Sequence, residues 1–436
     1  MQVSATPSGR TALVNARLVD PATGRDETGG LLIRNGMIAD IGPHITEKSA
    51  PRNARIIDCG GHILSPGLID MRVFAGEPGA EHTETLATAS QAAAAGGVTS
   101  MICMPNTNPV IDEVALVDFI ARRARDTAIV RVHPMAALSK GLLGKEMTEI
   151  GLLSEAGAIA FTDGNKSITD AQLFRRMLTY AKNFGALVVQ HTEDPDLARG
   201  GVMNEGLVAT RLGLPGIPAA AETIIVERDL RLVELTGARY HAAQVSCADA
   251  LQAIAGAKQK GLPVTCGVSI NHLVLNENDI GPYRSFFKMS PPLRSEKDRK
   301  ELVEGLASGI IDVIVSSHDP QDPDTKRHPF EEAAYGAIGV ETLLPALLSL
   351  VHNEGMELIT ALRAVSATPA EILQLDTGRM EPGAPADLVL FDLELPWQVD
   401  ADALKSKSKN TPFEDKRFQG RALRTIVGGA SVFQLS

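Results

Sequence analysis

Residues able to do acid–base or metal chemistry recur along this chain, each just after a short apolar run. Asp70, Arg72 and Glu77 close one such run, and Pro105, Asn106 and Thr107 close the next. Later runs end in Asp163, in His191 with Glu193 and Asp194, in His241 with Gln244, and in His318 with Asp319. Imidazole and carboxylate groups gathered in this way are what a metal hydrolase uses to hold an ion that activates water. Asp163, His191, His241 and Asp319 would supply four N/O donors, enough for one metal. His241 is the weak member. It lies three residues before Gln244, and strand side chains three apart point to opposite faces, so it reads as bulged toward the site or as an ordinary buried histidine.

Elements of a definite kind must carry these groups. Through residues 66–380 the apolar runs VTSMICM, IVRVHPMA, AIAFTDG, ALVVQH, RYHAAQVS, PVTCGVS and DVIVSSH alternate with stretches of helical period. TETLATASQAAAAG, EVALVDFIARRARD, DAQLFRRMLTYAKNFG, AAAETIIVERDLRLVELTG and ADALQAIAGAKQKG are such stretches. Regular strand–helix alternation calls for a parallel sheet, most simply a (β/α)8 TIM-like barrel, whose functional groups sit at the carboxyl ends of the strands. An open doubly wound sheet is the second choice, and no GxGxxG follows the first strand to support it. Residues 1–65 and 381–436 read instead as short strands punctuated by Gly, Asn and Asp. They predict a small β-sandwich domain built from both ends of the chain, an α/β architecture overall.

Composition removes several classes of function. With 42 Lys and Arg against 53 Asp and Glu, the chain carries a net charge of -11, which argues against nucleic acid as a partner. The four cysteines are scattered, so neither a thiolate zinc site nor a disulfide framework is expected. No apolar run approaches the ~18–20 residues of a membrane span, and MQVSATPSGR has no signal-peptide pattern. No membrane association and a cytoplasmic location are the expectations.

Several segments then point to a family. PGLIDMRVFAGEPGAEHTET, GGVTSMICMPNTNPVID, HTEDPDLARGG, KMSPPLRSEKDR, GAIGVETLLPALL, PADLVLFD and SKSKNTPF occur in an order that resembles dihydroorotase of the amidohydrolase superfamily, over nearly the whole chain. The resemblance implies a distorted (β/α)8 barrel with a β-sandwich from both ends. It also implies reversible cyclisation of N-carbamoyl-L-aspartate to dihydroorotate in pyrimidine synthesis. In that family two zinc ions activate a bridging hydroxide and an Asp handles the proton.

The residues that this chemistry needs are largely replaced. Where the family has His-x-His and then a substrate-binding Arg, this chain has Arg72, Phe74 and Gly76. Arg cannot deprotonate to bind zinc, and a benzyl ring has no lone pair to give. Gln244 stands for a metal His, Ser317-His318-Asp319-Pro320-Gln321 for the DHAPH segment, and Ser290 for the Asn of NPPLR. What matches is His191 as a metal His, Asp163 near the bridging carboxylate position, and Asn106 as a substrate-contacting Asn.

The site residues expected from the resemblance are therefore Asn106 and Arg72 for substrate, and Asp163, His191 and His318 as a remnant metal site. Asp319 would be the catalytic residue only if the chain is active. Each has a plainer reading. The histidines can be hydrogen-bonded structural groups, and Asn106 suits its turn for backbone reasons alone. Arg72 can pair with Asp163 or Glu193. SKSKNTPF reads as structural.

Three functions follow. The first is a catalytically degenerate dihydroorotase, a pseudoenzyme resembling the inactive homologues that associate with aspartate transcarbamoylase as an oligomeric scaffold. It would need no cofactor. The second is an active dihydroorotase with an altered site and a single zinc ion. The third is a ligand-binding regulatory module without turnover, which requires Arg72 to be free of protein carboxylates.

Overall fold

The computed structural model describes residues 9–435. Two sets of parallel strands form the barrel wall. Leu68–Val73, Val98–Cys103 and Arg131–Pro134 pair in that order. Val188–Gln190, Tyr240–Ala242, Val264–Ser269 and Val313–Val315 form the second set. Single bridges join the sets: Phe161 pairs with both Ala136 and Val188, and Val73 pairs with His318. The run AIAFTDG thus supplies the fourth stave as one bridging residue rather than a full strand, and the wall closes on itself. Seven strands and this bridge make a (β/α)8-type barrel.

Alternation along the strands fills the interior. Ile69 and Met71, Ile102 and Met104, Leu187 and Val189, and Val313 and Val315 are pairs two residues apart that meet in one buried cluster. The opposite faces of the strands pack against the helices in a larger core that includes Leu68, Met101, Val132, Val188 and Tyr240. The outer helices fall where the helical period places them: Leu86–Ala95, Val114–Thr127, Ala171–Asn183, Ala220–Thr236 and Ala248–Gln259. Local chemistry starts two of them. Thr85 and Thr88 form a reciprocal capping box, and Asp170 accepts from the N–H groups of Gln172 and Leu173.

Both ends of the chain meet in one accessory sheet of eight strands. Arg10–Asp20, Arg25–Arg34 and Met37–Gly42 run antiparallel. Ala54–Asp58 and Ile63–Pro66 lie parallel to the first of these. Ile63–Pro66 then pairs antiparallel with Leu388–Gln398, with Leu64 opposite Leu390, and Arg417–Val427 and Ala430–Gln434 complete the sheet. Leu13, Leu18, Leu31, Ile38, Leu64, Leu388 and Ile426 share its core.

Sheet and barrel touch closely because small residues face each other. Ala92, Ala93 and Ala94 are fully buried on the Leu86–Ala95 helix, and Thr425 Oγ1 donates to the Ala94 carbonyl at 2.6 Å. Gly97 has φ 82°, and a Cβ there would come within 2.7 Å of Val389. A buried ion pair fixes the contact. Arg131 Nε and Nη2 donate to Asp387 at 2.6 and 3.1 Å, and Asp387 also accepts from the Gly428 N–H at 2.7 Å. Removing one partner of a buried pair leaves the other charge uncompensated, at about 3–5 kcal/mol. Asp387→Ala is expected to lower the urea midpoint by a corresponding amount, whereas Arg17→Ala, at the exposed pair with Asp26, should change it little.

Candidate functional site

The strand ends do bring polar groups together, but most of the carboxylates bind the barrel's own backbone. Asp70, fully buried, accepts from the N–H groups of Arg72 and Ser316 and from the Ser316 hydroxyl, tying the first strand to the last. Burial raises its pKa, and the Ser316 bonds oppose the rise. Asp163 does the same one stave apart. It accepts from Leu138 N–H at 3.0 Å, from Ser139 N–H at 2.8 Å and from the Ser139 hydroxyl. Glu222 accepts from the N–H and hydroxyl of Ser246 and faces Arg294 at 3.8 Å. Glu77 binds the Leu86 N–H and the Arg123 guanidinium. An acceptor whose lone pairs are spent on short backbone bonds is a cross-link, not a free ligand.

Arg72 occupies the mouth. It is 2 % exposed, and its Nη2 donates to Asn165 Oδ1 at 2.6 Å. The guanidinium lies 5.3 Å from the centre of the Phe74 ring, a cation–π distance. Its Nε and Nη1 meet no acceptor. Burial pushes its pKa down to about 10, and Asp319 and Asp70 pull it back up, so it stays charged at neutral pH. The expected pairing with Asp163 or Glu193 does not form. Asp163 is committed to Ser139, and Glu193 faces His191 Nε2 at 3.8 Å.

A cavity of about 20 Å³ lies beside the guanidinium, lined among others by Gln244, Asn271, His272, Ser317, Asp319 and Tyr335. Gln244 Nε2 donates to Ser317 Oγ at 2.9 Å, which leaves its Oε1 without a donor. His272 Nε2 faces the carbonyls of Pro291 and Pro292 at 3.1 and 3.2 Å, so that nitrogen carries the proton. Its Nδ1 is buried without a partner, and burial lowers the ring's pKa to about 4. Asp319 accepts from Gln321 Nε2 at 2.7 Å. Partial removal from water pushes its carboxyl up to about 6, against the pull of Arg72, His318 and Lys326. Lys326 is driven the other way, to about 7, by burial.

The remaining expected residues are placed apart from this cavity. His318 Nδ1 accepts from the Gly339 N–H at 3.2 Å, and its Nε2 faces the buried Glu84 at 3.5 Å. Burial would raise the pKa of Glu84, but His318 and the Ser406 and Thr88 hydroxyls bring it below the ordinary value. His191 Nε2 lies 3.3 Å from Ser290 Oγ. Asn106 packs on Gly164, whose φ of 69° leaves room for it: a Cβ there would sit 1.7 Å from Asn106 Oδ1. His241 is an ordinary buried histidine. Its Nδ1 bonds Thr265 Oγ1 at 2.8 Å, and burial lowers its pKa to about 3.

SKSKNTPF reaches across to the mouth. Ser406 donates to Glu84, Ser408 to the Thr83 carbonyl, and Asn410 Nδ2 to the carbonyls of Asp319 and Gly336 at 3.1 and 3.2 Å. Asn410 Oδ1 accepts from the Gln321 N–H at 3.2 Å. Asn165, Asn271 and His272 were missed by the sequence reading. The strand-end rule points to Asn271 and His272, which follow the run PVTCGVS directly.

The family's metal chemistry requires converging donors. Among the described residues no group of three or more His, Cys, Asp or Glu side chains is placed to hold a metal ion. Asp163, His191 and His318 do not form a remnant set, nor do Asp163, His191, His241 and Asp319 form the single-metal one. A guanidinium stands at the first-strand position instead, and it repels a dication. The residues present do not fit a zinc pair.

L-hydantoinase (dihydropyrimidinase) from Arthrobacter aurescens superposes with a TM-score of 0.87, over 98% of this chain and 96% of its own, at 24% identity. A D-hydantoinase structure gives 0.85 over 98% and 95%, also at 24% identity. The fold is thus a TIM-like barrel with an accessory β-sheet. A family model described as dihydro-orotase-like matches residues 61–250, and one for an amidohydrolase family matches residues 350–433. Proteins named dihydroorotase from Anaplasma phagocytophilum (strain HZ) and Geobacter sp. (strain M21) are each 42% identical to this chain. They align over 97% and 96% of it, and over 95% and 98% of their own lengths. The chain belongs to the dihydroorotase family.

The Asp319 environment has a measurable signature. Its folded pKa of about 6 lies above the ordinary 3.8, so the fold favours the protonated form. Wild-type stability from this group is present below pH 4 and is lost as pH rises through 6. Asp319→Asn is expected to match wild type in unfolding free energy at pH 4 and to exceed it at pH 8, by about 3 kcal/mol at most. An offset that is the same at both pH values would refute the assignment.

Proposed function

We propose that this chain is a dihydroorotase-family protein of pyrimidine synthesis that acts as a non-catalytic scaffold, with aspartate transcarbamoylase as its partner in an oligomeric complex. Arg72 carries the reading. It puts a permanent positive charge where the resemblance places a metal-binding His, and Asp70 and Asp163 are spent on backbone N–H groups. The cavity beside it, about 20 Å³, has room for one or two water-sized groups but not for a six-membered ring. A surface role draws support from the excursion after His191. Leu197 and Leu207 are exposed there, and Tyr283 joins it by donating to the Leu212 carbonyl at 2.7 Å. No helix of the described residues is long and apolar enough to cross a membrane.

An active dihydroorotase with an altered, single-metal site is the second reading. The comparisons taken alone weigh toward it, because relatives bearing that name are 40–42% identical over almost the whole chain. The two readings separate in one assay. The purified chain, supplied with zinc, is expected to show no hydrolysis of dihydroorotate and to bind less than one zinc per chain. It is also expected to co-elute with aspartate transcarbamoylase in gel filtration. Turnover that disappears in His191→Ala and Asp319→Ala would overturn the scaffold reading and establish the enzyme.

A further inference from the structure

We propose that the barrel mouth binds a small planar oxyanion, of the carboxylate or bicarbonate kind, on the unpaired N–H groups of Arg72. The site does not depend on whether the chain turns over dihydroorotate.

Three observations lead to it. The first is charge: the guanidinium is 2 % exposed, yet its one side-chain hydrogen-bond partner is the neutral amide of Asn165. Asp70 is saturated by Ser316 and the Arg72 backbone, and Asp319 is engaged by Gln321. A buried cation without a direct counter-ion is costly, and an anion beside it removes that cost. The second is the inventory of unmet hydrogen bonds. Nε and Nη1 of Arg72 are donors without acceptors, while Gln244 Oε1, Asn271 Oδ1 and His272 Nδ1 are acceptors without donors. All four residues line the same cavity. Gln244, Asn271 and His272 are themselves buried, at 1 %, 1 % and 3 % exposure. The third is size: a cavity of about 20 Å³ admits only a small group and excludes a ring.

Together these features select among anions. A planar guanidinium matches a planar oxyanion better than a sphere, because two oxygens can meet two N–H groups. A halide could satisfy Arg72 but offers nothing to the acceptors. Formate satisfies Arg72 in the right plane. Bicarbonate does so and brings an O–H that Gln244, Asn271 or His272 can accept. The expected order is bicarbonate, then formate, then chloride.

The test uses the full chain at constant pH and ionic strength. Sodium bicarbonate, formate and chloride are titrated while the thermal midpoint is followed. Bicarbonate and formate are expected to raise the midpoint with the logarithm of their concentration above Kd, by on the order of 2–5 °C at large excess. Chloride should have a much smaller effect, and Arg72→Gln should weaken the oxyanion response about tenfold or more. No rise, an equal rise with chloride, or an undiminished rise in Arg72→Gln would each overturn the proposal. Should Arg72→Gln fail to fold, the wild-type chain alone decides: it must broaden the 13C signal of labelled bicarbonate, and formate must reverse the broadening. Gln244→Leu then separates the two anions. It should reduce the preference for bicarbonate over formate while leaving formate binding in place.

Discussion

A charge that cannot be shed, enclosed at the end of the first barrel strand, governs this molecule's mouth. Arg72 keeps its proton even where burial brings its pKa to about 10, so its neighbours must supply negative potential. They do so at a distance, through Asp70 and Asp319, rather than by a direct ion pair. Burial raises the pKa values of both carboxyls, and for Asp319 the Arg72 charge opposes that rise; neutral amides and a small space fill the rest of the cavity. A metal site works in the opposite sense, gathering free lone pairs around a dication. The two arrangements exclude each other at one location.

The carboxylates at the strand ends show why residue type alone cannot assign a role. Asp70 and Asp163 have the positions that a hydrolase would use, and both are buried. Asp163 spends its oxygens on Ser139 and two backbone N–H groups of another stave, and Asp70 on the hydroxyl and N–H of Ser316 and the N–H of Arg72 in its own strand. In a barrel whose strands are as short as Val188–Gln190 and Val313–Val315, ladder hydrogen bonds are few, and side-chain cross-links of this kind help to hold the wall closed.

Much of the architecture could be read from the chain because it rests on local pattern. The helical stretches and the alternating interior pairs, such as Ile102 and Met104, follow from periodicity alone. AIAFTDG shrank to a bridge at Phe161 because the chain turns at once through Asp163 and Gly164, where Asn106 fills the space that a Cβ would need. The replacement of the family's first-strand histidines was legible at Arg72 and Phe74, whose chemistry does not depend on their surroundings. Which partner each polar group takes was not legible. The bond from Arg72 to Asn165 spans 93 residues, and that from Asn410 to Asp319 spans 91. Spacing along the chain carries no information about contacts of that range.

The strap formed by Ser406, Ser408 and Asn410 bears on the order in which the molecule is made. Every barrel strand leaves the ribosome before this strap does, and Ile63–Pro66 must wait for Leu388–Gln398 before its free edge is paired. Contacts so distant in sequence form slowly. During synthesis the barrel wall therefore stands for a time with its mouth unfastened and one sheet edge open, and both are completed by the same late stretch of chain. The rim around Asp319 is thus completed only after the whole barrel has been made.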